Sequence, residues 1–378
     1  MSTARPSRLR RTMAPLSGLA AREAEDSGGR GPAGKPNHGR PDHGRAKGAL
    51  GAPVAGAVAL ALCGLAALAL PLVADAYILH SCIVVLFFAY MATAWNFVCG
   101  YVGQLSIGHA MFAGVGGYAT VLLFTGLGLS PWLGMPVGGL LAAALSVVVG
   151  YPTFRLRGPY FALTTIAFAE MIRIWVENTD TFLGIPLNGA AGLTVPLRGE
   201  SVAALQFNGK APYYYLIVAL LAGALLATWR LERSKLGFYL KAIRGDRDAA
   251  ESLGISPARY QLVALAISAF MTGVGGGFYA QFFRYVNAER LIGVDLSIDM
   301  ALMSIIGGQG TVFGPLLGAV LLAPLAEITR GALGGSFLGL HIVVYGIILM
   351  LAVLYLPKGL IAPLRTLLLR IAGRGGAR

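Results

Sequence analysis

Charge is scarce in this sequence. Asp, Glu, Lys and Arg make up 12% of its 378 residues, against 56% hydrophobic residues, and mean hydropathy is +0.69. A water-soluble domain carries about twice that charged share, so a soluble enzyme or soluble binding module is excluded. Cysteine is nearly absent. Cys63, Cys82 and Cys99 fall in apolar segments, at spacings that match no zinc or haem motif and in an odd number. They read as small packing residues. The phosphate-cradling pattern Gly-x-x-x-x-Gly-Lys-Ser/Thr does not occur, so the sequence contains no P-loop ATPase. The run Gly273-Val274-Gly275-Gly276-Gly277 lies inside an apolar stretch with no strand before it, which excludes a nucleotide loop. Catalytic residues, cofactor and metal are therefore not expected.

What is present in quantity is apolar sequence of membrane-spanning length. A crossing helix needs about 20 apolar residues. Such runs occupy 54–74, 78–99, 110–128, 132–153, 159–177, 213–230, 260–283, 312–330 and 338–356, with a shorter one at 296–309. Counting the short run gives ten spans. The expected fold is thus all-α, a polytopic transmembrane bundle of about ten helices, one of them short or broken. The net charge of +13 is concentrated in residues 1–47, 230–259 and 358–378. Basic segments stay on the cytoplasmic side, and ten spans place both termini, Arg155, Arg157 and the 231–258 loop there together. Nucleic-acid binding, the other reading of a basic chain, requires a basic face on a foldable soluble segment, and none occurs.

Three regions follow. Residues 1–52, rich in Arg, Gly, Pro, Ser and Ala, are expected to be a disordered basic tail and not a cleaved signal, because the first apolar run begins only near Pro53. Residues 53–356 form the membrane domain, and 357–378 a second basic tail. The longest non-cytoplasmic loop is 178–212, nearly balanced in charge through Asp180, Glu200, Arg198 and Lys210. It is expected to be irregular, with a short helix lying on the membrane.

The loop around Arg244-Gly245-Asp246-Arg247-Asp248-Ala249-Ala250-Glu251-Ser252-Leu253-Gly254 has the pattern of a short capped helix. Asp246 can accept the orphan N–H groups at its start, and Gly254 can close it in the left-handed region. Ala249, Ala250 and Leu253 would form a small apolar face. A helix of this kind suits insertion into a groove of a soluble partner; a solvated connector is the other reading.

Polar groups at the edges of spans should face the protein or a wet cavity. This singles out Asn96, Gln104, Ser106, His109, Thr164, Thr165 and Gln309 as residues of a translocation pathway. Glycine-broken backbone beside them could supply donors and acceptors to a zwitterion, and helix–helix hydrogen bonding is the competing role for each. The segments Gly103-Gln104-Leu105-Ser106-Ile107-Gly108 and Gly308-Gln309-Gly310-Thr311-Val312-Phe313-Gly314 echo one another. Gly273 and Gly277, and Gly310, Gly314 and Gly318, have the four-residue spacing of close helix contact. Glu170 with Arg173, and Glu327 with Arg330, are placed to pair along one helix.

The 244–254 loop resembles the coupling segment of ABC-importer permeases, a Glu-Ala-Ala motif followed by Gly, although the order here is Ala249-Ala250-Glu251. Its form is similar to that of the branched-chain amino-acid (Liv-type) permeases. Asn96 with Gly103–His109 and Gly117-Tyr118, the stretch Arg157-Gly158-Pro159-Tyr160-Phe161-Ala162 with Thr164-Thr165 and Ala167-Phe168, and Gly307–Thr311 with Gly314-Pro315 and Gly318 resemble the same family in the same order. Residues 183–189 depart from it, since relatives show a tighter Gly-Gly cluster there. The resemblance implies an ABC-importer permease fold and an ATP-driven importer of branched-chain amino acids in a bacterial inner membrane. It assigns coupling to Arg244, Asp246, Ala249, Ala250, Glu251, Leu253 and Gly254. The implied partners are ATP-binding cassette subunits, a second homologous permease as heterodimer mate, a periplasmic substrate-binding protein and membrane lipid. A gradient-driven secondary transporter of small polar solutes, or an ABC permease for urea or amides, are the alternatives.

Overall fold

The computed structural model describes residues 68–156, 158–182 and 185–333, together with Gly64 and isolated positions between 343 and 361. The expected tail 1–52, the expected tail 357–378 apart from Gly359–Ile361, Arg157 and most of the expected spans 54–74 and 338–356 lie outside the described residues. Residues 68–73 are helical. They are followed by α1 (Ala76–Asn96), which runs into a π-helix at Phe97–Val102. Next come α2 (Ala110–Leu127), α3 (Pro131–Thr153), α4 (Pro159–Glu177) and, after the 178–210 loop, α5 (Ala211–Arg233). Two short helices, α6 (Lys235–Gly245) and α7 (Arg247–Ser252), precede α8 (Pro257–Phe283), which is followed by α9 (Ala288–Ile292), α10 (Val294–Gly308) and α11 (Gly314–Leu333).

Local sequence punctuates these helices. Pro131, Pro159 and Pro257 open α3, α4 and α8, where a missing N–H costs nothing. Gly128, left-handed at φ 66°, closes α2. Among the described residues six helices are long and apolar enough to cross a membrane: α1 with its π extension, α2, α3, α5, α8, and α9 with α10 taken together. The expected short run at 296–309 is thus extended outward by α9. Helices also form at 159–177 and, against the expected run 312–330, at Gly314–Leu333, but α4 carries Glu170, Arg173 and Glu177, and α11 is apolar only over Gly314–Ile328.

The 178–212 loop differs from expectation. Instead of a surface helix it holds a 3-10 turn at Gly189–Ala191 and short strands. Strand β1 (Thr181–Phe182) pairs with β2 (Ile185–Pro186). Strand β3 (Leu193–Thr194) pairs antiparallel with β4 (Tyr285–Val286), which follows α8. The loop is therefore stitched to the end of α8 by backbone hydrogen bonds. Arg198 reaches the end of α2, donating to the Phe124 carbonyl at 3.0 Å with its guanidinium 4.4 Å from the Phe124 ring centre. It fills one of the carbonyls that a helix end leaves open.

Glycines set the spacing of the core. A Cβ on Gly116 of α2 would lie 2.0 Å from the Gly273 carbonyl oxygen of α8, and one on Gly276 would lie 1.9 Å from that of Ala113. Gly138 of α3 approaches the Gly116 carbonyl in the same way, at 2.6 Å. Helices α2, α3 and α8 are thus in backbone contact, the arrangement that drives association where lipid supplies no hydrophobic force. Gly318 does the same for the α10–α11 hairpin, where a Cβ would meet the Met303 carbonyl at 1.8 Å.

Candidate functional site

Successive helices alternate in direction, so the connections gather at two ends. At one end lie the π-helix and the 103–109 break, the turn after α3, helices α6 and α7, the 308–313 break and Gly359–Ile361. Contacts tie these together: Arg247 donates to the Phe154 carbonyl at 3.1 Å, and the Leu360 N–H to that of Ile306 at 2.8 Å. At the other end lie the 178–210 loop, β4 and α9.

Helix α7 stands at the first end. Asp246 caps it, one carboxylate oxygen accepting from the N–H groups of Asp248 at 2.9 Å and Ala249 at 3.0 Å. Its far end is closed as the spacing predicts. Gly254 is left-handed at φ 82°, its N–H reaches the Glu251 carbonyl at 2.9 Å, and the Ile255 N–H reaches that of Ala250 at 3.1 Å. This reciprocal pair is a Schellman closure. The expected apolar face is split. Ala250 is buried against the bundle, while Ala249 and Leu253 point outward with Glu251, and Leu253 is 81% exposed. Capping at both ends holds an unsupported leucine in water on a stiff, six-residue helix.

Arg244 is the last long side chain before that helix. Its guanidinium donates to the Gly100 carbonyl inside the π-helix. Its stem crosses Gly103, where a Cβ would stand 2.8 Å from Arg244 Cγ, and its Nη1 covers Gly310, where a Cβ would stand 2.7 Å away. Both glycines are left-handed, at φ 79° and 75°. Asn96 ties the same two breaks from inside the bundle. Its Oδ1 accepts from the Gly310 N–H at 2.8 Å and from Ser304 Oγ at 3.3 Å, and its Nδ2 donates to the Thr311 carbonyl at 3.0 Å. The two echoing glycine segments of the sequence thus sit side by side, joined by one asparagine and one arginine. Tyr101, also in the π-helix, donates to Glu232 Oε1 at the end of α5, at 2.9 Å.

A second polar group lies deeper. His109 is fully buried, with Nε2 2.8 Å from Ser268 Oγ and Nδ1 3.4 Å from Ser106 Oγ. Trp95 donates to the Ser106 carbonyl at 2.7 Å, and Thr165 Oγ1 lies 3.3 Å from the Ile107 N–H. Asn96, Ser106, His109 and Thr165 are therefore engaged in helix–helix hydrogen bonds. Gln104 and Gln309 are half-buried in the two breaks, and Thr164 is half-buried on α4, bonded to its own helix at the Tyr160 carbonyl. Arg173 pairs with Glu170, as its spacing predicts, and adds Glu177 at 2.6 Å. The Arg330 side chain lies outside the described residues.

The sequence pattern of the family described as "Branched-chain amino acid transport system / permease component" matches residues 77–353. The chain belongs to that family. Within the family, it is 31% identical over 285 residues to the "High-affinity branched-chain amino acid transport system permease protein LivM" of Escherichia coli, covering 70% of this chain and 65% of the relative. The chain thus spans slightly under two thirds of that relative's length. It is also 23% identical to the probable LivM of Methanocaldococcus jannaschii, over 72% of this chain and 88% of the relative. Against E. coli LivH the identity is again 23%, over 72% and 91%. The matched segment of this family member begins at the start of α1 and takes in both helix breaks and α7.

Proposed function

We propose that the chain is the membrane-spanning permease subunit of an ATP-driven importer that carries branched-chain or related apolar amino acids across a bacterial inner membrane. The observation that carries this reading is the mechanical line from α7 to the two helix breaks. Only Gly245 and Asp246 separate Arg244 from α7, so a partner that moves α7 moves the guanidinium holding Gly100 and lying over Gly310. Ala249, Glu251 and Leu253 form the outward surface that an ATP-binding cassette subunit would grip. ATP binding and hydrolysis in that partner would then pull on the breaks and switch the pathway. The relatives' names, which pair LivM with LivH as permease proteins of branched-chain amino-acid transport, support a second homologous permease as mate and leucine, isoleucine and valine as cargo. A periplasmic binding protein would deliver the substrate to the opposite face.

Ten crossings with both termini cytoplasmic fit this assembly. The alternating helices α1, α2, α3, α4, α5, α8, α10 and α11 supply eight, and the apolar stretches 54–74 and 338–356 supply two more. Gln104 and Gln309, half-buried in the breaks, are the pathway residues nearest to the moving parts, with Asn96, Ser106, His109, Thr164 and Thr165 as their supports.

The test is docking. Glu251→Arg and Gly254→Trp are expected to abolish co-purification of the ATPase subunit and ATP-dependent uptake, while detergent-solubilised permease is recovered in normal yield. Uptake at the wild-type rate in both variants would overturn the coupling role of α7.

A further inference from the structure

Arg247 opens α7, three positions after Arg244. Its Nη2 donates at 3.1 Å to the carbonyl of Phe154, the residue that caps the end of α3. Helix ends leave such carbonyls open, so one guanidinium ties the start of α7 to the α3–α4 turn. Its Nη1 is buried and has no hydrogen-bond partner. A buried donor left unpaired is unfavourable. The contact therefore differs from the doubly paired guanidinium of Arg173 on α4. A shift of α7 can bring the spare donor an acceptor while the bond to Phe154 is kept.

From Phe154 the contacts run on into α4. The Phe154 and Phe161 rings are both fully buried and stack with centres 5.1 Å apart. Phe161, Thr165 and Ala169 follow at four-residue spacing and, with Val176, are the buried residues of α4. A Cβ on Gly108 would stand 1.8 Å from the Thr165 carbonyl oxygen and 3.2 Å from Ala169 Cβ. Thr165 Oγ1 accepts from the Ile107 N–H at 3.3 Å. Helix α4 and the far flank of the 103–109 break are thus in backbone contact. Arg244 grips the near flank, through Gly100 and Gly103. Two arginines three positions apart reach the two flanks of one break by separate routes.

Between the turn and α4 stands Gly158. It is left-handed at φ 59°, with nothing within 4 Å of where a Cβ would be, and Pro159 follows as the first residue of the helix. Hinges are residues of this kind, at the ends of elements, that absorb a change of backbone angle. Beyond Gly158, α4 is held along one narrow buried stripe.

We propose that Arg247 is a positioning residue of the transport cycle. It carries the motion of α7 through Phe154 and Phe161 into α4, which turns about Gly158 and takes the Ile107–Gly108 flank of the break with it. Coupling of this kind needs an element with two positions, and α4 is that element. The proposal rests on the importer reading above and adds a second moving part. Arg244 acts on the other flank and on the 308–313 break, so neither arginine replaces the other.

The experiment uses the complete assembly in proteoliposomes, measuring radiolabelled leucine carried and ATP hydrolysed together. Arg247→Ala is expected to lower leucine carried per ATP by about tenfold, the scale of a lost charge-assisted hydrogen bond. Co-purification of the ATPase subunit should persist, since the Asp246 cap and the outward Ala249, Glu251 and Leu253 are unchanged. Arg247→Lys should recover part of the loss, because an ammonium can still reach one carbonyl. The motion is read separately. Spin labels are placed at Met171→Cys on α4 and Leu140→Cys on α3, both exposed positions, with Cys63, Cys82 and Cys99 replaced by alanine. The distance between them is expected to change with ATP, and to stay fixed in Arg247→Ala. Wild-type leucine per ATP in Arg247→Ala, or an ATP-dependent distance change that survives in it, would overturn the positioning role. Loss of ATPase co-purification in Arg247→Ala would overturn it as well, by placing Arg247 in the docking surface. All three results leave the importer reading in place. That reading fails separately, if the wild-type assembly carries no leucine with ATP.

Discussion

Replacing Gly276 by leucine is expected to destabilise the folded permease strongly. The Gly276 Cα position faces the Ala113 carbonyl so closely that even a methyl group would stand 1.9 Å from its oxygen and 2.7 Å from its carbon. The obstructing atoms are backbone, so no rotamer change can relieve the overlap, and α2 and α8 must separate. Overpacking a core costs about 1–3 kcal/mol even where side chains can shift, and here the whole helix contact is lost with it. Against a net stability of about 5–15 kcal/mol, the loss should reach the upper end of that cost or exceed it. Gly116→Leu is expected to behave alike, because its neighbour is the Gly273 carbonyl. Gly223→Leu on α5 is the control, since nothing lies within 4 Å of a Cβ there. Thermal unfolding of the detergent-solubilised protein should show a large fall for the first two and no change for the third. Equal stability of all four proteins would refute the backbone contact as the source of the packing.

Arg244→Ala is expected to separate ATP hydrolysis from transport. Removing the side chain breaks the hydrogen bond to Gly100 and empties the space over Gly103 and Gly310, but it leaves both caps of α7 and the outward Leu253 untouched. Docking of the ATPase subunit should persist, and its motion should no longer reach the breaks. Leucine uptake should fall by at least about tenfold, in line with the loss of a charge-assisted hydrogen bond, with ATP hydrolysis retained. Arg244→Lys should recover only part of it, because an ammonium cannot reproduce the planar fork. A parallel loss of uptake and of ATPase co-purification in Arg244→Ala would instead place Arg244 in the docking surface.

Parts of this arrangement are legible in local sequence. Of the glycines at four-residue spacing, Gly273 and Gly318 lie in backbone contacts, while Gly277 faces the Met135 and Thr120 side chains. Asp246 and Gly254 cap a helix whose chemistry is confined to nine positions. Glu170 and Arg173 pair because both lie on one helix face. What the sequence does not reveal is set by distant partners. The hydrogen bond from Arg244 to Gly100 joins residues 144 positions apart, and nothing near Arg244 distinguishes it from the other basic residues of its loop. The π-helix at Phe97–Val102 has no local signature, and it becomes intelligible only once Arg244, Tyr101 and Asn96 hold its two flanks. The pairing of Leu193–Thr194 with Tyr285–Val286 replaced an expected surface helix, because two-residue strands carry no periodicity.

His109 illustrates a different limit. Its residue type at a span boundary pointed to a pathway, and the fold gives its ring nitrogens two serine hydroxyls in a fully buried site. Burial of a satisfied histidine and exposure to a pathway look identical in sequence. The two readings part only when Ser268, 159 positions away, is seen beside it.

The energy source of leucine uptake separates an ATP-driven importer from a gradient-driven transporter most directly. Proteoliposomes containing the chain with its mate, ATPase subunit and binding protein are loaded with or without ATP, and ion gradients are imposed or collapsed with ionophores. Uptake is expected to require ATP and to be indifferent to the collapse of proton and sodium gradients. Uptake that follows an imposed gradient in the absence of ATP would contradict the importer reading.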